Sequence, residues 1–124
     1  LAGLAAYLRG LGGICDKELP SRACMLVKSL LELGEREQAA RDKAEELLAG
    51  MEVLFIDRFS AAQRAGELNS RLDPVLLGRR LQAEIMGLRA FAQRDVDSAT
   101  VHALAEDMAQ SLEAMRAEEV ADTI

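Results

Sequence analysis

Residues 73–92 read Asp73-Pro74-Val75-Leu76-Leu77-Gly78-Arg79-Arg80-Leu81-Gln82-Ala83-Glu84-Ile85-Met86-Gly87-Leu88-Arg89-Ala90-Phe91-Ala92, and both the opening and the spacing of this run point to a helix. Asp73 suits an N-cap, where its carboxylate accepts from first-turn N–H groups. Pro74 suits the first helical position, where a missing N–H is no loss. Stepped at about 100° per residue, Leu77, Leu81, Ile85, Leu88 and Ala92 gather on one side, while Leu76, Ala83, Gly87 and Ala90 fall nearly opposite. A helix apolar on both sides is buried on both sides. The small residues of the second face let another helix come close, so one face is expected to pack within the subunit and the other against a partner subunit. The competing arrangement is a monomer in which a helix of the same chain covers that face.

Outward from this stretch, breaks fall at Gly12-Gly13, Gly34, Gly66 and Arg94-Asp95-Val96-Asp97, and the segments between them carry helical periodicity, which makes about five helices. The first covers Leu1 to Leu11. The second starts at Pro20, carries the stripe Ala23, Leu26, Val27, Leu30 and Leu31, and stops at Gly34. The third, Glu35 to Ala65, has Gly50 as a point of bending and would be ~45 Å long, the spine of the domain. Gly66 is its C-cap, with Leu68 covering the last turn. The fourth runs from Pro74 to about Arg94, and the fifth is capped by Asp97 or Ser98. The apolar residues Val101, Leu104, Ala105, Met108, Leu112 and Met115 of that fifth helix follow near-heptad spacing. The tail from Arg116 to Ile124 is acidic and is expected to fray.

Composition agrees with an all-α fold. The chain of 124 residues is half apolar, yet its aromatics are Tyr7, Phe55, Phe59 and Phe91 alone, so the core must come from Leu, Ala, Val, Ile and Met. That palette favours helices. The length suits one domain, residues 1–124, able to bury roughly two-thirds of its unfolded surface without disulfides or metal. The first residue is Leu1 and not Met, and the chain reads as cut from a longer protein. No basic n-region or cleavage site makes Leu1 to Leu8 a signal peptide. No apolar run approaches the roughly twenty residues that span a bilayer, so no membrane partner and a cytoplasmic setting are expected. The net charge is −6, with arginines scattered among carboxylates, which disfavours direct nucleic-acid binding by this segment. Cys15 and Cys24 lie apart from each other with no histidine nearby, which indicates neither a zinc site nor a disulfide framework. No cofactor is expected.

Four ordered motifs resemble the signatures of TetR-family C-terminal domains: Arg22-Ala23-Cys24-Met25-Leu26-Val27-Lys28-Ser29, then Ala65-Gly66-Glu67-Leu68, Leu72-Asp73-Pro74 with Leu77, and Ile85-Met86-Gly87-Leu88. The resemblance spans residues 20 to 92, with Ala23-Cys24 where many relatives have Gly-Cys. It implies a homodimeric repressor whose helix-turn-helix domain precedes this chain and alone touches operator DNA. A small-molecule effector among the core helices would move the DNA-reading heads out of register. The family's dimers form through the last two large helices, which agrees with the two-faced fourth helix. A four-helix interface is therefore expected, with Leu76, Ala83, Gly87, Ala90, Val101, Leu104, Met108 and Leu112 as its candidates.

Candidates for the wall of the ligand pocket are Tyr7, Met25, Met51, Phe55, Phe59 and Met86, large adaptable side chains of the kind that line apolar sites; plain core packing is the alternative for each. Cys24, with Arg22 and Lys28 near in sequence, is a candidate redox sensor, against the alternative of an inert buried thiol. His102 reads as solvated, beside the stripe of the fifth helix. It has no nucleophile or second histidine for company, and the adjacent pairs Glu45/Glu46 and Glu118/Glu119 splay apart on helix surfaces, so catalysis has no visible carrier. A free-standing helical protein–protein interaction module without ligand is the alternative to a repressor's regulatory half.

Overall fold

The computed structural model describes residues 1–13 and 38–117. Four helices account for most of them: α1 (Ala2–Leu11), α2 (Gln38–Arg64), α3 (Pro74–Phe91) and α4 (Ser98–Glu113). The chain is all-α, as expected. The helix read at Pro20 to Gly34 lies outside the described residues.

The start and stop signals act through identifiable bonds. The Asp73 side chain accepts from Val75 N–H at 3.0 Å with Pro74 in the first turn, and Asp97 accepts from Thr100 N–H at 3.0 Å at the head of α4. Gly66, at φ 81°, closes α2. Its N–H donates to Gln63 O and that of Glu67 to Ala62 O, the paired bonds that satisfy orphan carbonyls when the residue past the helix turns left-handed. Leu68 then folds back into the core.

Two sequence expectations are corrected. α3 ends at Phe91 and not Arg94, because Gln93 and Arg94 donate to carbonyls three residues back and the chain turns away from the helix axis. Arg116 and Ala117 do not fray. Arg116 forms an antiparallel bridge with Leu68, Asn69 N–H donates to Met115 O at 3.2 Å, and Ala117 N–H donates to Glu67 O at 2.6 Å.

The helices pack as two pairs, α2 along α3 and α1 along α4, with α3 and α4 touching more lightly. Leu8 and Leu11, Phe59, Leu81 and Ile85, and Val101 and Leu112 meet in the shared core, which among the described residues holds no polar side chain. Gly78 sets the α2 to α3 spacing. A Cβ there would sit 2.7 Å from Ile56 N and 2.9 Å from its Cα, so only hydrogen fits between the backbones. Gln82 Nε2 donates to Leu48 O at 2.7 Å across the same seam.

On the other pair, Arg9 bridges two carboxylates one heptad apart on α4. It donates to Glu106 at 2.8 and 3.2 Å and to Glu113 at 2.6 and 3.1 Å. Hydrogen bonding to this guanidinium holds both carboxyls below the usual range, and the bonds from Thr100 do the same for Asp97. All three groups bind a proton more readily unfolded than folded. Their contribution is therefore complete above the ordinary carboxylate pKa and is lost as pH falls through it and below. Thermal melts are expected to show stability declining from about pH 5 downward, and less steeply in Arg9→Ala. An identical acid slope in that variant would remove the bridge from the account.

Candidate functional site

α1 and α2 converge without closing, and the gap between them is a cavity of about 740 Å³. That lies within the range of roughly 300–1,000 Å³ typical of small-molecule sites. The α2 wall is a single stripe at helical spacing, Met51, Leu54, Phe55, Arg58, Ala61 and Ala62, continued by Ala65 just past the last helical residue. The α1 wall is Leu1, Gly3, Leu4 and Tyr7, with Glu67 beyond the end of α2. Gly3 leaves its place open, since a Cβ there meets nothing within 4 Å. The cavity reaches the surface, for Leu54 is 51% exposed.

Tyr7, Met51 and Phe55 thus come together on one cavity. Phe59 does not join them: it is 1% exposed and faces a separate void of about 20 Å³ with Leu8, Leu77, Leu81 and Leu112. That void has room for about a water molecule. Met86 is half-buried on α3 and borders neither space. Met25 and Cys24 lie outside the described residues. Leu4, Leu54 and Arg58 escaped the sequence reading, which selected aromatic and methionine side chains. Their signal was position, because Leu54 and Arg58 lie within one helical turn of Met51 or Phe55.

The second surface is on α3 and α4. Leu76 is 63% exposed, and Ala83, Gly87 and Ala90 are exposed beside it. The opposite face of α3, with Leu77, Leu81, Ile85 and Leu88, is in the core. Leu104 is partly exposed on α4 and Met108 half-buried. Val101, at 0% exposed, and Leu112, at 3%, belong to the subunit's own core and have no surface left for a partner. Heptad spacing alone did not separate these inward positions from the flank that carries Leu104 and Met108. Arg80 and Glu84 of α3 border the small void together with Met108 and Ser111 of α4 and Met115 just beyond its end. Arg80 continues the Leu76, Ala83, Gly87 stripe, and Met108 continues from Leu104, so the two exposed stripes adjoin.

His102 abuts Gly12 at the end of α1, and Glu106, one turn on, is held by Arg9. Glu45 and Glu46 are exposed, the latter 3.7 Å from Lys43. Among the described residues no cluster of His, Cys, Asp or Glu could hold a metal ion, and no helix is long and apolar enough to cross a membrane.

A model of the family described as Tetracyclin repressor-like, C-terminal domain, matches residues 1–108. No curated protein and no solved structure matches the chain.

Proposed function

The chain belongs to the Tetracyclin repressor-like C-terminal domain family, and on that premise we propose that residues 1–124 form the effector-binding and dimerisation module of a TetR-type bacterial transcriptional repressor. The cavity between α1 and α2 carries this reading, because it offers a small molecule apolar walls with a few polar groups at their edge. Family membership supports a regulatory domain. In the parent protein a DNA-binding half would precede it and act on operator DNA in the cytoplasm.

The open face formed by Leu76, Ala83, Gly87 and Ala90 with Leu104 and Met108 supports the homodimer: two helices from each subunit make a four-helix interface about a two-fold axis. Effector in the cavity would press α1 away from α2. Since Arg9 ties α1 to α4, and α4 borders the proposed interface, displacement at the cavity has a physical route to the spacing of the two DNA-reading heads.

Light scattering tests the assembly. The 13.5 kDa chain should run at twice that mass, and Gly87→Arg should reduce it to the monomer with helical circular dichroism intact. Gly87 tolerates the change within the subunit because a Cβ there meets nothing within 4 Å, and glycine is itself a poor helix former. A wild-type monomer would sink the interface and favour a free-standing helical interaction module, for which the same open face would be the docking surface.

A further inference from the structure

We propose that the cavity between α1 and α2 takes an amphipathic acid, a single negative charge on a hydrocarbon body, and that Arg58 receives the acid; this rests on reading the cavity as an effector site. Arg58 carries the basic side chain among the residues lining it, and the Leu1 amino group there is 3.9 Å from Glu67 Oε2. Arg9, Arg79 and Arg80 are each held by glutamates, whereas none of the described carboxylates is within ion-pair distance of Arg58. Its exposed guanidinium is therefore available to an incoming anion.

The wall is ordered along α2. Met51 precedes Arg58 by about two turns and Ala65 follows it by the same interval, so each lies ~10 Å away along the axis. Met51, Leu54 and Phe55 make one half broad and apolar; the other half is alanine and ends at Glu67. Of the three charges at the cavity, the Leu1 amino group and Glu67 lie 3.9 Å apart and offset each other, so Arg58 fixes the polarity of a bound ligand. An acid at Arg58 gains a charge-assisted, bidentate pair, while its hydrocarbon runs toward Met51 and Phe55, away from the Glu67 carboxylate. A neutral amphiphile gains the apolar contact alone. A cation would be drawn to the Glu67 end, where it would compete with the Leu1 amino group for that carboxylate.

Calorimetric titration of the 124-residue chain with decanoate, 1-decanol and decyltrimethylammonium separates these cases. Decanoate should bind about tenfold or more tighter than decanol. Arg58→Gln should abolish that preference while changing decanol affinity by less than about twofold. Arg58→Lys should keep much of it, and Glu67→Gln should leave decanoate binding equal or tighter. Circular dichroism on each variant reports that the helices are intact. Equal affinity for decanoate and decanol, or a preference that survives in Arg58→Gln, would overturn the assignment of the acid and leave the effector site standing. Tightest binding of the ammonium probe, lost in Glu67→Gln, would overturn it in favour of a cationic class. Absence of binding by all three would remove both the acid and the effector reading.

Discussion

Gly78→Val is expected to lower the unfolding free energy by about 3 kcal/mol, near the upper end of what overpacking usually costs. The first added carbon would stand 2.7 Å from Ile56 N and 2.9 Å from Ile56 Cα. Those are backbone atoms in the middle of α2 and cannot swing aside as a side-chain tip would. The α2 to α3 seam must open along its length, which strips contacts from Leu48, Phe55 and Leu81 together. Gly50→Ala is the matched control: Gly50 is also helical, but a Cβ there meets nothing within 4 Å, so the variant should gain up to about 1 kcal/mol from helix propensity. Urea melts of the pair decide the matter. Two shifts of the same sign would mean that the α2 to α3 approach is looser than described.

Phe59→Ala should cost about 3–5 kcal/mol, the range for removing a buried aromatic ring without collapse of the space it leaves. Phe59 is 1% exposed, sits where α1, α2, α3 and α4 converge, and already borders a small void. Against a typical total of roughly 5–15 kcal/mol, that loss would leave much of the chain unfolded under mild conditions. Phe59→Leu retains most of the volume and should keep the fold with decanol affinity unchanged, whereas Phe55→Leu alters the cavity wall itself. If Phe59→Ala melts at the wild-type denaturant midpoint, the ring is not the centre of the core. A change of decanol affinity in Phe59→Leu alone would return Phe59 to the ligand wall.

These substitutions fall where sequence and structure part company. Phe59 and Phe55 are one helical turn apart on a single stripe, and nothing in their identity says that one faces the junction of four helices while the other also edges a cavity. Val101 and Leu104 are separated the same way: three residues apart in a near-heptad run, one interior and one partly exposed. Arg58 carried only the signal of its position one helical turn past Phe55, because the residue type itself, an arginine in a long helix, reads as solvated surface until the neighbouring helix is placed beside it.

What is local in this protein was readable from residues alone. Asp73-Pro74, Asp97 and Gly66 act through bonds to atoms within a few positions, and the two faces of α3 follow from helical periodicity, so helix type and approximate limits needed no knowledge of neighbours. The family motifs rest on the same local order of residues. The packing partners came from elsewhere: α1 on α4 through Arg9, a contact across 97 and 104 positions in sequence, the Gly78 approach, and the cavity between α1 and α2. Each depends on how rigid helices settle against one another, a balance of volumes and distances across the whole core that residue spacing within one segment does not contain.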